Sequence, residues 1–251
     1  MAIGFIYVVT TVNKDYIQKK FRNVPTEWGE RLYFGPCKRQ MRPKMKCGDY
    51  IFGISPSKPQ PRRIIFAAHV EERITFEEAY IRFPDLQGPK GPIHVCPIQG
   101  TGSFPTSNYE HIPDSEHEED WKKDLATREL DAFFVCSERV GWQGRWLGQR
   151  GPKMDEEILS FLKSCSVHGR AGMLSKQNLD ATIGSPICHR GPMGFLWRVH
   201  LETNQPEALL KLCEDRITAK QSDLDRLPVP KPSTGRSGGP GCGKSSRICG
   251  C

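Results

Sequence analysis

The chain has 251 residues, a hydrophobic content of 37% and a formal net charge of +7. Its length is sufficient for one hydrophobic core, or for a core with insertions. No apolar run approaches the roughly 20 residues that a membrane-spanning helix needs, and residues 2–9 lack the pattern of a secretory signal peptide. We therefore expect a cytoplasmic protein that does not span a membrane. Most of its ten cysteines sit singly in apolar settings, which favours reduced thiols.

The first half of the chain is predicted to consist mainly of strands. Alternating and β-branched residues favour strands because they pack well on a pleated surface, and a Gly–Asp pair favours the turn before one of them. A capping box of Thr75 and Glu78 predicts the start of a short helix that ends before Pro84. The predicted strands of this half are residues 3–9, 31–34, 47–54 and 62–70.

A long segment of little periodicity begins the second half. Residues 84–131 are rich in proline and glycine and then in acids, and so long a stretch without regular structure is unusual in a compact domain. We interpret it as a loop insertion that covers a site. The elements predicted beyond it are strands at 131–137 and 195–201, a helix at 155–163 and a last helix with Asn204 as its cap and Pro206 in its first turn.

The last residues are predicted to form a disordered basic tail after a single α+β domain. The domain is expected over residues 1–226 and the tail over 227–251, where glycine, proline, serine and cysteine dominate. Gly238 to Ser245 match the phosphate-binding loop formally, but that loop needs a strand before it and a helix after it, and neither is predicted. The tail cysteines also lack the paired spacing that zinc prefers. We therefore predict no metal and no cofactor.

Charge is distributed unevenly along the domain. Residues 31–46 contain six Lys or Arg and no acid, whereas residues 110–131 contain nine acids and three bases. Such segregation produces a local field that attracts phosphates. A solvated loop with ordinary surface lysines is the alternative interpretation.

A second stretch, residues 139–152, interleaves tryptophan and arginine with glycine. Aromatic rings stack on bases, and guanidinium groups bind phosphates or stack in turn. The alternative is that Trp142 and Trp146, four residues apart, form a buried hydrophobic pair. The candidate nucleic-acid or nucleotide contacts from both stretches are Phe34, Lys38, Arg39, Arg42, Lys44, Lys46, Trp142, Arg145, Trp146 and Arg150.

Few residues are candidates for acid or base catalysis. Asp49 and His189 are named first, with His69 and Glu138 beside them, because a general acid or base needs a titratable group in a pocket. Sequence order does not show whether any two of them converge, and a structural role is the alternative for each histidine. Whether the protein is an enzyme stays open at this point.

Several motifs in order resemble one known family. They are FIYVVT at 5–10, PCK at 36–38, KCGDYIFG at 46–53, IIFAAHVEERITFEEAY at 64–80 and DAFFVCS at 131–137. Together they resemble the "nucleotide modification associated domain 2" family of bacterial and phage proteins. The GDYIFG segment is also similar to small PUA-like β-barrels, a group that includes readers of modified bases. The resemblance implies a small, partly open PUA-like barrel with peripheral helices and a link to nucleotide or modified nucleic-acid metabolism.

Two departures from the family pattern concern the ligand. Residues 11–15 lack the proline-rich stretch of the family, and Lys38 is followed by Arg39 instead of proline. If that stretch lines the family's pocket, the ligand of this chain differs.

Three functions are therefore expected in order of preference. The first is a nucleic-acid or nucleotide binding module that recognises a modified base and is linked to nucleotide modification or phage defence. The second is an enzyme that acts on a nucleotide or nucleobase. The third is a protein-interaction component that docks a partner through the acidic loop at 110–131 or the basic tail.

Overall fold

The computed structural model describes ten ranges of the chain. These are residues 2–9, 26–35, 41–55, 62–88, 91–98, 109–112, 122, 125–138, 146–164 and 204–217. The strand predicted at 195–201 and the tail at 227–251 lie outside the described residues.

Six strands form the main sheet. They are β1 (Gly4–Val8), β2 (Thr26–Trp28), β3 (Arg31–Phe34), β4 (Tyr50–Ile54), β5 (Ile64–Ile74) and β8 (Phe133–Glu138). Their spatial order is β1-β4-β5-β8-β3-β2, in which β1 runs parallel to β4 and every other neighbouring pair is antiparallel.

A small second sheet and three helices complete the described fold. The strands β6 (Val95–Pro97) and β7 (Tyr109–His111) pair antiparallel. The helices are α1 (Phe76–Arg82), α2 (Glu156–Ser164) and α3 (Gln205–Glu214). Short 3₁₀ turns lie at Pro84–Leu86, Arg128–Leu130 and Gly148–Arg150.

One face of the main sheet packs around a cluster that we call the inner cluster. Successive residues of a strand point to opposite faces, so alternate positions of several strands contribute to it. Two methionines from the segment before β4 pack into the same cluster. Its members include Phe5, Phe34, Met41, Met45, Ile51, Phe66 and Phe134.

The opposite face is shared by two further clusters. Over β1 and β4, Ile6 and Phe52 pack with residues of α2 and α3, in what we call the helix cluster. Over β3 and β8, Tyr33 and Phe133 pack with residues of α1, β6 and β7, in what we call the distal cluster. The sheet is thus buried on both faces, and its edges and strand ends are where polar groups can reach a ligand.

The α+β class and most of the predicted elements are confirmed. The capping box at Thr75 and Glu78 forms as predicted, and β5 continues four residues beyond the predicted strand, to Ile74. Within the described ranges the sheet is not closed into a barrel. The predicted loop insertion at 84–131 contains β6 and β7, which pack on the distal cluster.

Two further predictions concern the state of the cysteines and the absence of a membrane-spanning helix. Cys136 and Cys213 are buried and free, and Cys47 is exposed and free. Cys96 in β6 is disulfide-bonded, which differs from the prediction of reduced cysteines at that position. No helix in the described ranges is long and apolar enough to cross a membrane.

Candidate nucleic-acid interface

Residues 41–49, which we call the basic loop, are fixed to the sheet by backbone contacts. The Met41 carbonyl accepts hydrogen bonds from the backbone N–H groups of Lys44 at 2.9 Å and Met45 at 3.0 Å, which closes a tight turn. Gly48 donates to the Val70 carbonyl at 2.8 Å. Met41 and Met45 are buried, so the loop is held from below by the inner cluster and at its end by β5.

Asp49 fixes the end of the basic loop through hydrogen bonds to the backbone. One carboxylate oxygen accepts a hydrogen bond from the backbone N–H of Lys46 at 2.7 Å and the other from that of Ile3 at 2.9 Å. Burial raises the pKa of this carboxyl, and the two backbone donors act in the opposite direction. Because both oxygens already bind the backbone and the residue is 2% exposed, this arrangement argues against the predicted catalytic role.

Arg42 also lies inside the protein. It is 0% exposed, and its Nη1 donates to the carbonyl of Leu130. Its charge lowers the pKa of Asp131, although burial acts more strongly and raises that pKa overall. Arg42 therefore supports the basic loop from beneath, and its burial argues against the predicted contact with a phosphate.

Asp131 joins the basic loop to the distal cluster. Its carboxylate accepts a hydrogen bond from the backbone N–H of Phe76, at the start of α1, at 2.9 Å. The second oxygen accepts one from the Tyr109 hydroxyl of β7, also at 2.9 Å. Burial and the neighbouring Asp131 charge both raise the pKa of Tyr109. Asp131 thus ties α1 to β7 directly beside Leu130, whose carbonyl accepts the hydrogen bond from Arg42 of the basic loop.

Lys44 and Lys46 are the predicted contacts that the basic loop presents to solvent. Both are exposed, and neither forms an ion pair with a carboxylate of the described residues. Other surface cations differ in this respect, since Arg82 pairs with Glu72 at 2.7 Å and Arg31 pairs with Glu71. The two lysines keep their positive field available for an anion.

Trp146 lies beside the same inner cluster. It is half-buried, and its ring stacks on Phe66 with 5.9 Å between centroids and 27° between planes. Leu147 then donates its N–H to the Ile65 carbonyl at 2.8 Å, and the 3₁₀ turn that follows ends at the half-exposed Arg150. The ring therefore packs against the inner cluster, as the hydrophobic alternative requires, and the residue is only partly exposed.

The remaining candidates are Phe34, His69 and five residues that lie outside the described ranges. Phe34 is 0% exposed in the inner cluster, which argues against stacking on a ligand. His69 in β5 contacts the Tyr50 ring, with 4.7 Å between centroids. The candidates outside the described residues are Lys38, Arg39, Trp142, Arg145 and His189.

Arg63 and Lys153 are neighbours of Arg150 that were not selected from the sequence. They face each other across an isolated antiparallel bridge at the start of β5. The signal available in the sequence was the Arg–Arg pair at the start of the strand predicted at 62–70, but nothing local shows that residue 153 lies opposite it.

Comparison of the chain with family models, curated proteins and solved structures finds no match. Among the described residues, no group of three or more His, Cys, Asp or Glu side chains is placed to hold a metal ion. The described candidates that reach solvent are Lys44, Lys46, the partly exposed Trp146 and the half-exposed Arg150.

Proposed function

We propose that this chain is a nucleic-acid or nucleotide binding module, and that it recognises a modified base in a nucleotide-modification or phage-defence setting. One observation carries the proposal. The basic loop, through Met41 and Met45, and the Trp–Arg stretch, through Trp146, pack against the same inner cluster. A basic segment and an aromatic ring are thus anchored to the same part of the core, which supports a site that uses both.

A partly open PUA-like barrel is the finer description that we propose for the main sheet. What supports it is β5, whose pairing shifts register against β4 at Gly53 and Ile54 and against β8 between Val70 and Glu72. Such irregularities bend a strand and increase its twist. The bend agrees with the family resemblance in the motifs of β4 and β5.

The binding proposal is preferred to the enzyme because of Asp49. A general base must come within reach of its substrate, and Asp49 is 2% exposed with each carboxylate oxygen bound to a backbone N–H. Lys44 and Lys46, by contrast, are exposed and form no ion pair with a carboxylate of the described residues, which suits a site that holds phosphates.

A salt titration tests the proposal. A fluorescein-labelled single-stranded DNA of about 12 nucleotides is titrated with the protein at several salt concentrations, and anisotropy gives Kd. We expect the affinity to fall steeply with salt, because bound phosphates release counterions. Lys44→Gln together with Lys46→Gln removes two phosphate contacts. The negative slope of log K against log salt should therefore become shallower by about 1.4.

A matched control uses cations outside the basic loop. Arg82→Gln with Lys211→Gln removes two exposed positive charges from the last turns of α1 and α3, and should leave the slope unchanged. Absent or salt-independent binding by the unaltered protein would refute the proposal. Repeating the titration with oligonucleotides that differ in one base modification tests the modified-base part separately.

A further inference from the structure

The small sheet of β6 and β7 carries a covalent link. Cys96 in β6 is disulfide-bonded. The other described cysteines, Cys47, Cys136 and Cys213, are free thiols. Cys96 lies opposite Glu110 of β7, and only 5% of it is exposed. The disulfide therefore restrains the small sheet at a buried position of one of its two strands.

The small sheet depends on its surroundings for stability. Each of its strands has three residues, and so short a pair is marginal by itself. Val95 and Tyr109 hold it in place, since both are buried in the distal cluster. A disulfide restricts the open chain more than the folded one, so its reduction favours local opening of the sheet.

Buried polar contacts lead from the small sheet to the basic loop. The Tyr109 hydroxyl of β7 donates to the Asp131 carboxylate at 2.9 Å. Arg42 of the basic loop donates to the carbonyl of Leu130, the residue before Asp131, and its charge acts on the Asp131 carboxylate. Tyr109, Asp131 and Arg42 are all buried. Release of Tyr109 therefore removes a hydrogen-bond donor from the carboxylate whose charge offsets that of Arg42.

The placement of Arg42 bears directly on the exposed lysines. A buried charge is stable only while its compensating groups stay in place, so a displaced Asp131 weakens the inward position of Arg42. Arg42 lies within the turn in which the Lys44 and Met45 N–H groups donate to the Met41 carbonyl. A shift of Arg42 thus displaces the turn that carries Lys44.

We propose that the Cys96 disulfide keeps the small sheet docked and thereby holds the basic loop in its binding conformation, so that reduction by a dithiol weakens nucleic-acid binding. This inference rests on the proposed function and names a regulation of the same site. In the reduction, the dithiol transfers two electrons and two protons to the disulfide. The S–S bond breaks, two cysteine thiols form, and the dithiol is oxidised to its own disulfide.

DNA titrations with and without reductant test the proposal. The unaltered protein, Cys96→Ala and Cys213→Ala are measured by anisotropy before and after incubation with dithiothreitol, and thiol alkylation with mass spectrometry shows that Cys96 has been reduced. Reduction and Cys96→Ala should each weaken binding by about fivefold, and reductant should change Cys96→Ala little further. Cys213→Ala is the control, because it removes a buried free thiol of the helix cluster and should keep the full response to reductant.

Two further measurements separate this path from a general loss of stability. The effect of reduction on affinity should be smaller in Lys44→Gln/Lys46→Gln than in the unaltered protein, because it acts through those lysines. Hydrogen exchange without DNA should become faster on reduction in the small sheet and also in residues 41–49, and should stay unchanged in α2. Thermal unfolding shows that each variant is folded.

The failures of the proposed function and of this inference are distinguishable. If the oxidised, unaltered protein binds no DNA, the proposed function fails and the control of affinity fails with it. If the oxidised protein binds and reduction leaves its affinity unchanged, the proposed function stands and the inference alone is wrong. Faster exchange confined to the small sheet, or an equal effect of reduction in the lysine variant, would also overturn the inference alone.

Discussion

At the scale of single residues, the polar groups inside the protein serve its architecture. Arg42 and Asp131 meet where the basic loop, α1 and β7 converge, and both are almost completely buried. A buried charge is expensive unless it is hydrogen-bonded or paired, which explains why each has a defined partner. The basic-loop cations that reach solvent are Lys44 and Lys46.

The buried Asp131 predicts a particular dependence of stability on pH. Burial raises its pKa in the folded state, so the folded protein keeps this proton to a higher pH than the unfolded chain does. The contribution of Asp131 to stability therefore falls as pH rises from about 4, the unfolded value, through the raised pKa. Urea unfolding across this window should show the decline in the unaltered protein and less of it in Asp131→Asn.

The control for this prediction is Asp85→Asn, which removes an exposed carboxylate after α1. Its pH profile should follow that of the unaltered protein. If the profile of Asp131→Asn also runs parallel to the unaltered one, Asp131 does not titrate differently in the two states, and the assigned cause is wrong. Asp49, whose pKa is raised as well, keeps part of the decline in every variant.

Residue chemistry was predictable from the sequence, but burial was not. From the run of bases at 31–46, Lys44 and Lys46 are exposed, as a contact with a ligand requires. Arg42 has the same chemistry and the opposite placement, because Met41 and Met45 on either side turn this part of the loop inward. Which side of an irregular loop faces the core depends on contacts far away in the chain, such as the Leu130 carbonyl.

At the scale of elements, α1 follows local rules closely. The Glu78 N–H donates to the Thr75 hydroxyl at 3.1 Å, and the Thr75 N–H donates to the Glu78 carboxylate at 2.8 Å. Thr75→Ala removes the cap and should lower the free energy of unfolding by about 1 kcal/mol, measured with urea. Thr75→Ser keeps the hydroxyl and should cost only a few tenths of that. Equal losses in the two variants would mean that the threonine methyl, not the cap, matters.

The β4–β5 pair contains a close approach that only glycine permits. A Cβ placed on Gly53 would lie 2.1 Å from a ring atom of Phe66, the residue opposite it in β5. Overpacking of this kind costs about 1–3 kcal/mol, so Gly53→Ala should destabilise by at least that much. Because Phe66 supports Trp146, the same change should weaken DNA binding in the anisotropy titration.

A double-mutant cycle identifies the cause of that loss. Phe66→Leu makes room for the new methyl group, so Gly53→Ala should cost clearly less in the Phe66→Leu background than in the unaltered protein. Additive losses would show that the steric contact with the ring is not the reason. Chemical denaturation of the four proteins provides the measurement.

Elements with a clear period were predictable, and short ones were not. The alternating or apolar runs of β1, β4, β5 and β8 were identified, as were α2 and α3. The three-residue strands β2, β6 and β7 were missed, since so few residues show no period and owe their conformation to their neighbours. Asn204 was placed correctly before α3, but it adopts a left-handed conformation (φ 68°) and makes no side-chain cap.

At the scale of the whole molecule, both faces of the main sheet are covered. The helix cluster and the distal cluster share one face, and the inner cluster fills the other. Burial on both faces leaves the loops at the ends of β5 as the places where cations gather.

This arrangement explains why the site was only half predictable. The basic loop is contiguous in sequence, so its charge was visible directly. Arg63, by contrast, lies opposite Lys153 and binds the Gly151 carbonyl, and that proximity comes from the pairing of segments about ninety positions apart. No local pattern contains such a contact.

The parallel pairing of β1 with β4 has a consequence for the order of assembly. Gly4 lies opposite Tyr50 and Phe5 opposite Ile51, so the first described strand finds its partner only after more than forty further residues. Closing so long a loop is entropically costly before any pairing rewards it, whereas β4 and β5 are close in sequence. We expect the antiparallel strands to associate first and β1 to add late. Until then β4 is an unprotected edge, which is where a nascent or heated chain is most exposed to aggregation.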